Sequence, residues 1–185
     1  MIKCGSEGYL ELIVGPMFSG KTSRLLTLKR QYEICDISCC IVNHIDDDRY
    51  HRTKISTHDK IMDECLNVKE LGSLYELLDK YEVFLINEGQ FFDDLLDTVV
   101  DLVDKYKKKV YVCGLDGDYQ RCKFGYILDL IPFCDRIVKL TALCKRCKDG
   151  TVALFSHRLS GGNEQKNIGA DNYQPLCRKC FIKTT

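Results

Sequence analysis

The chain has 185 residues and equal numbers of basic and acidic side chains, 27 of each, so its formal net charge is zero. This length and a hydrophobic content of 45% fit one soluble globular domain with room for a small appended lobe. No basic stretch could follow a phosphate backbone, which excludes nucleic acid as the default partner. We see neither a signal peptide nor an apolar run long enough for a bilayer, and therefore predict a cytoplasmic protein with no membrane contact.

Strand and helix patterns alternate from the start of the chain. The segment 10–14 carries apolar Leu10, Leu12, Ile13 and Val14 and predicts a buried strand that stops at Gly15. The next segment, 22–32, is rich in helix formers and predicts a helix. Residues 39–42 predict a second strand, and the polar stretch 43–60 that follows predicts a long loop, a kind of segment that often carries function.

The alternation continues along the chain. Residues 70–80 have apolar side chains at helical spacing, and 83–86 form a short apolar strand pattern. Residues 91–107 predict an amphipathic helix before a strand at 110–113. Strands that alternate with helices predict an α/β fold with a parallel sheet covered on both faces.

The amino-acid composition changes near residue 140, where paired cysteines, glycines and polar residues begin. Only residues 152–155 read as a strand beyond this point. We therefore predict two units, a sheet domain over 1–140 and a small lobe over 141–185.

One motif lies between the first predicted strand and the first predicted helix. It satisfies the pattern GxxxxGK[ST], whose glycines let backbone N–H groups approach phosphate oxygens. Its lysine can reach the β- and γ-phosphates, and its final hydroxyl can ligate Mg²⁺. The phosphate-binding candidates are thus Gly15, Pro16, Met17, Phe18, Ser19, Gly20, Lys21 and Thr22, so that 1–140 is interpreted as a P-loop nucleotide-binding domain.

Polar residues follow the strand predicted at 83–86. Glu88 stands at the carboxyl end of this strand, where open α/β sheets bind ligands, and is a candidate general base. A carboxylate here could equally hold a metal-bound water or cap a helix. Asn87 occupies a position where P-loop enzymes usually have an aspartate for Mg²⁺; it keeps an oxygen acceptor but lacks the charge.

Two CxxC pairs mark the C-terminal lobe. Of the twelve cysteines, Cys144, Cys147, Cys177 and Cys180 have the spacing that closes four thiolates around one tetrahedral Zn²⁺. Such a site has no open coordination position and is structural. A redox CxxC is the alternative, but it would normally occur once and early in a βαβ unit.

These motifs together resemble the type II, or cytosolic-type, thymidine kinase family, from about Gly8 to Phe181. The run from Gly15 to Thr22 resembles its GPMFSGKT loop, residues 88–92 its EGQFF motif, and residues 115–121 its LDGxFQR motif. Residues 141–142 before the first cysteine pair and 169–173 before the second resemble its zinc lobe and lasso loop.

The resemblance implies a RecA-like P-loop domain, a zinc lobe with a lasso loop, and transfer of phosphate from ATP to the 5′-hydroxyl of thymidine, with deoxyuridine as a further acceptor to test. It also implies Mg²⁺ with ATP, a homotetramer and feedback inhibition by thymidine triphosphate. Glu88 then matches the catalytic base. Residues matching the nucleoside pocket are Met17, Leu115, Tyr119, Phe124 and Tyr173, and those matching the phosphate site include Asp47, Arg49, Asn87 and Gln90.

Two departures from the family pattern concern the site. Asn87 replaces the usual aspartate, and Tyr119 replaces the usual phenylalanine. The first motivates an alternative, a nucleotide-binding protein without catalysis. A zinc-ribbon module that binds nucleic acid or protein is a third reading, disfavoured by the neutral charge and the intact phosphate loop.

Overall fold

A computed structural model describes residues 7–46, 54–56, 62–162, 164–165 and 172–184. Their strands are β1 (Tyr9–Val14), β2 (Cys39–His44), β3 (Lys54–Ser56), β4 (Met62–Glu64), β5 (Leu66–Val68), β6 (Val83–Ile86), β7 (Lys109–Gly114), β8 (Arg136–Lys139), β9 (Ala142–Leu143), β10 (Val152–Ala153), β11 (Phe155–Arg158) and β12 (Tyr173–Leu176). The α-helices are α1 (Lys21–Ile34), α2 (Leu95–Val100) and α3 (Arg178–Ile182). Segments Leu71–Leu77, Gly89–Phe91 and Ile127–Phe133 are 3₁₀ helices, and Asp101–Lys105 is a π-helix.

A six-stranded sheet in the order β5-β2-β6-β7-β1-β8 forms the centre of the molecule. Every described pairing within it is parallel, which confirms the predicted α/β class. Strand β6 is buried along its whole length because apolar clusters cover the sheet on both faces. One cluster includes α2 and the 3₁₀ helices Leu71–Leu77 and Ile127–Phe133, and the other includes α1. The carboxyl ends of the parallel strands lie at one edge, where the candidate site is found.

The four strands predicted for this sheet are confirmed as β1, β2, β6 and β7. Its two edge strands, β5 and β8, were not predicted. Both are short and carry partly or fully exposed side chains, so neither shows the continuous apolar run of a central strand.

The predicted loop over 43–60 was wrong in extent. Strand β2 continues to His44, and β3 lies inside the predicted loop, where it pairs antiparallel with β4. Two short strands of mixed polarity show too little alternation to be recognised from sequence.

The predicted helices differ in type more than in position. The first is confirmed as α1, whereas the pattern at 70–80 forms a 3₁₀ helix. The long helix predicted over 91–107 is interrupted at its start, because Phe92 has an extended backbone that separates the turn Gly89–Phe91 from α2. Its second half is π-helical, and Leu102 and Val103 are both buried there. Among the described helices, none is long and apolar enough to cross a membrane.

The chain after residue 140 forms two small antiparallel sheets, β9 with β10 and β11 with β12. The single strand predicted at 152–155 was wrong, since the chain changes partner after Ala153. A separate apolar cluster that includes Cys144, Cys177 and Phe181 packs these sheets together. The boundary between domains 1–140 and 141–185 stays a prediction.

Candidate functional site

The phosphate loop connects β1 to α1 with the geometry of an anion cradle. Gly20 has a left-handed backbone (φ 84°) and lies at the N-terminus of α1, where unpaired N–H groups and the helix dipole favour an anion. Lys21 is buried, and its Nζ donates to the carbonyls of Gly15 (3.1 Å) and Pro16 (2.8 Å). Ser19 Oγ is buried and has no hydrogen-bond partner among the described residues. An ammonium group and an unused hydroxyl in one loop fit a phosphate.

Asn87 connects this loop to the end of β6. Its Oδ1 lies 3.4 Å from Thr22 Oγ1 and accepts a hydrogen bond from the Cys113 thiol at 3.1 Å. Its Nδ2 donates to Asn43 Oδ1 at 2.9 Å. The contact with Asn43 turns the amide oxygen toward Thr22. Two neutral oxygens therefore face each other at the phosphate loop, and oxygen ligands are those that Mg²⁺ prefers.

Glu88 is held by a neighbour two residues away. It has a left-handed backbone (φ 51°), is buried, and accepts from Gln90 Nε2 at 2.5 Å. Gln90 Oε1 in turn accepts from the backbone N–H of Leu115 at 3.0 Å. A Cβ at Gly114 would lie 2.2 Å from Gln90 Oε1, so any side chain there would displace the Gln90 amide from this position. Gln90 thus contacts the candidate base and the candidate nucleoside pocket, although the sequence placed it with the phosphate-binding residues.

The candidate nucleoside-pocket residues come from three parts of the chain. Leu115 adjoins Glu88 through Gln90. Phe124 packs edge-on against Phe91, with ring centroids 5.6 Å apart. Each of these two residues therefore contacts a member of the EGQFF motif that carries Glu88.

The remaining pocket candidates meet β11. The backbone N–H of Met17 donates to Ser156 Oγ at 2.9 Å, and the Arg158 guanidinium lies 3.6 Å from the centroid of the Tyr119 ring. Tyr173 pairs with Arg158 across the two-stranded sheet, and its ring centroid is 5.7 Å from the guanidinium. One strand of the C-terminal lobe therefore contacts both the phosphate loop and the predicted base plate.

Three residues at the site were not predicted from the sequence: Ser156, Arg158 and the buried Asp118. Asp118 accepts from the backbone N–H groups of Gln120 and Cys122 and from Gln165 Nε2 at 2.7 Å. Ser156 and Arg158 are the buried residues of β11, but polar side chains in a strand of four residues give no sequence signal for burial. Tyr119 and Arg158 also line an open pocket of about 490 Å³.

Some predicted residues lie outside the part of the chain that the structure describes. They are Asp47, Arg49 and residues 169–171 of the segment that resembles the lasso loop. Their assignments stay predictions.

The four cysteines of the two CxxC pairs meet in one cluster, and their sulfurs lie within 4.8 Å of one another. Cys147 Sγ is 3.5 Å from Cys180 Sγ and 3.8 Å from Cys177 Sγ. Four sulfurs at about 2.3 Å from a tetrahedral Zn²⁺ would be about 3.8 Å apart. The cluster therefore fits zinc in both ligand type and spacing.

Hydrogen bonds prepare one of these thiols for metal binding. Burial opposes ionisation of Cys144, but backbone donors at Cys177, Cys147 and Arg146 outweigh it and lower the pKa of the thiol to about 6. Contacts with the neighbouring thiols raise the pKa of Cys147 to about 12. A divalent cation would supply the charge that lets all four ionise.

Comparisons with known proteins agree with this geometry. A family model described as thymidine kinase matches residues 8–181. Curated thymidine kinases from Variola virus, Vaccinia virus (strain Western Reserve) and Monkeypox virus are each 41% identical over 176 residues, which cover 95% of this chain and 97% of each relative. The family match spans the phosphate loop, the Glu88 segment and the cysteine cluster. The chain belongs to the thymidine kinase family.

Proposed function

We propose that this protein transfers the γ-phosphate of ATP to the 5′-hydroxyl of thymidine, giving thymidine monophosphate and ADP. The acceptor is inferred from the family and from the names of the viral relatives. The donor is inferred from the phosphate loop, whose buried Lys21 and left-handed Gly20 fit a chain of phosphates.

The observation that carries the proposal is the placement of Glu88. Its neighbour Asn87 contacts Thr22 of the phosphate loop, while its own carboxylate is tied through Gln90 to Leu115 of the candidate nucleoside pocket. A nucleoside bound at Leu115 and a nucleotide bound at Thr22 would bring the 5′-hydroxyl and the γ-phosphate to the same carboxylate. Phosphoryl transfer depends mainly on such positioning and on charge neutralisation.

In the proposed reaction, Glu88 removes the proton from the 5′-hydroxyl as the O5′–P bond forms. The bond between the γ-phosphorus and its bridging oxygen breaks, and ADP leaves with the electron pair. Lys21 neutralises charge on the phosphates. Thr22 and Asn87 would hold Mg²⁺, which when bound neutralises phosphate charge; Asp47 and Arg49 are proposed to line the same phosphates.

We extend the proposal to the remaining partners. Tyr119, Phe124, Met17 and Tyr173 form the nucleoside pocket, with an aromatic plate for the base. Zinc at the four cysteines has a structural role. By family resemblance, thymidine triphosphate inhibits the enzyme, which acts as a homotetramer in the cytoplasm and binds no nucleic acid.

The test is a Mg²⁺-dependent assay of phosphate transfer from ATP to thymidine, with deoxyuridine, deoxycytidine and deoxyguanosine as comparison acceptors. Glu88→Gln keeps the shape of the side chain and removes its basicity, so we expect kcat to fall by about 10²- to 10⁴-fold. Nucleotide binding, measured by calorimetry, should be retained.

The matched control is Glu82→Gln, an exposed residue that precedes β6 at the opposite end of the strand. It should leave kcat unchanged. Wild-type protein that binds ATP and transfers no phosphate to any nucleoside would refute the proposal and favour the non-catalytic nucleotide-binding protein. A Glu88→Gln enzyme with full turnover would refute the assignment of the base alone.

A further inference from the structure

Arg158 is a buried cation whose surroundings differ from those of an ordinary core residue. It is only 7% exposed, and among the described residues no carboxylate lies within ion-pairing distance of its guanidinium. Burying a guanidinium is costly unless other groups replace its hydration. Here the Tyr119 ring and backbone carbonyls replace part of the hydration, while Nε is buried with no hydrogen-bond partner among the described residues.

The guanidinium stacks on the ring of Tyr119 at 3.6 Å. This is close contact with the aromatic face, a geometry that suits the planar guanidinium of arginine and not the ammonium of lysine. Stacking holds the plane of the ring, and Tyr119 is the proposed base plate.

The Arg158 side chain also hydrogen-bonds to backbone carbonyls that follow β11 in the chain. Its Nη1 donates to the carbonyl of Gly162 at 2.7 Å, and its Nη2 donates to the carbonyls of Glu164 and Gln165. Gly162, Glu164 and Gln165, here called the loop stem, are exposed. One buried side chain therefore orders a segment that has little core of its own.

A second connection links the loop stem to the turn that carries Tyr119. Gln165 Nε2 donates to Asp118 Oδ2 at 2.7 Å and to the carbonyl of Lys123 at 3.0 Å. Asp118 precedes Tyr119 in the chain and also organises the turn through the backbone N–H groups of Gln120 and Cys122. The base plate and the loop stem are thus joined twice, once through Arg158 and once through Gln165.

We propose that Arg158 is a positioning residue for nucleoside recognition: it fixes the plane of the Tyr119 ring and the loop stem as one unit. The inference rests on the proposed function, in which Tyr119 supports the base. Arg158 contacts neither the phosphate loop nor Glu88 through any described hydrogen bond, so its effect should fall on the nucleoside and not on ATP.

The experiment compares Arg158→Met and Arg158→Lys with wild-type full-length protein. Both changes remove the planar fork and the stack, and Lys keeps the charge. We expect each to raise the KM for thymidine by about tenfold, equivalent to ~1.4 kcal/mol, while the KM for ATP changes less than about twofold. Arg30→Met, at an exposed position of α1, should change neither constant.

A double-mutant cycle between Arg158 and Tyr119 separates an effect of Arg158 on the position of the ring from a general loss of protein stability. Tyr119→Leu removes the ring, so a further Arg158→Met change should raise the KM for thymidine by less than it does when the ring is present, because coupled residues do not act additively. Tyr119→Phe keeps the ring and should preserve the full effect of Arg158→Met. Equal losses for thymidine and ATP, additivity in the cycle, or full rescue by Arg158→Lys would overturn the inference.

One readout is independent of activity. In the protein without substrate, hydrogen exchange in the peptide covering residues 160–165 should accelerate in Arg158→Met and remain unchanged in Arg30→Met. If wild-type protein transferred no phosphate to thymidine, the proposed function would fail, while this measurement would still test whether Arg158 orders the loop stem. Unchanged exchange in Arg158→Met would overturn that role of Arg158.

Discussion

The amide at Asn87 can be tested by restoring the carboxylate usual in P-loop enzymes, through Asn87→Asp. The residue is buried, and its Nδ2 donates to Asn43 Oδ1 at 2.9 Å. In the variant a carboxylate oxygen would replace this donor and face another acceptor. Losing the bond and setting two buried acceptors against each other costs about 1–3 kcal/mol, and the new buried charge adds to this despite the donors at Thr22 and Cys113.

We therefore expect the free variant to lose ~2–4 kcal/mol of unfolding free energy. For a chain of this size, that corresponds to a decrease in Tm of about 5–15 °C. Mg²⁺ and ATP should restore more stability to the variant than to the wild type, because the added negative charge pairs with the metal. Thermal unfolding with and without Mg²⁺ and ATP measures both effects.

A second substitution provides the control. In the double variant Asn43→Thr/Asn87→Asp, the threonine hydroxyl can donate to the new carboxylate, so part of the lost Tm should return. The single variant Asn43→Thr gives the baseline. A free Asn87→Asp protein as stable as the wild type would refute the argument that Asn43 fixes the orientation of the amide.

Three further predictions concern other parts of the molecule. Gln90→Leu removes the donor to Glu88, and a carboxylate without its donor has a higher pKa. As pH is lowered, kcat should therefore begin to fall at a higher pH than in wild type; an unchanged pH dependence would contradict this. One Zn²⁺ per chain should be found by metal analysis, and Cys177→Ser or chelation should lower Tm and abolish activity; activity in zinc-free protein would contradict it. Burial, followed by the positive charge of Arg146, lowers the pKa of His157, so the unfolded chain binds this proton more readily and stability should fall as pH decreases through about 6.5 toward the lowered pKa. His157→Gln should flatten the dependence of Tm on pH between about 5.5 and 7.5, and identical curves for the two proteins would contradict the assignment.

Predictions for the sheet succeeded where burial was continuous. Strand β6 and its neighbours carry unbroken apolar runs because both faces of a parallel sheet are covered. They failed at β5, β8 and the small strands after residue 140, where only a few residues pair and their side chains are partly exposed. Helix type was also not predictable, since apolar spacing is similar for α, 3₁₀ and π segments of one or two turns.

In the candidate site, too, local sequence patterns were predictable and tertiary contacts were not. The phosphate loop and the CxxC pairs are local patterns whose spacing alone predicts their chemistry, and the sulfur cluster confirms the grouping of the four cysteines. The partners of Gln90 could not be predicted, although the residue itself lies in a recognised motif. Its role depends on the backbone N–H of Leu115, which reaches it only because β6 and β7 are adjacent in the sheet.

By itself, the sequence determined the fold class, the candidate phosphate loop, the candidate metal-ligand set and the resemblance to a kinase family, because each depends on contiguous residues or on fixed short spacings. Only the tertiary structure decided which side chains support them. Ser156 meets Met17 across 139 positions of sequence and Gln165 meets Asp118 across 47, while Arg158 stacks on a ring carried by a different turn. Such contacts arise from the packing of the C-terminal lobe against the sheet domain, and no local periodicity encodes them.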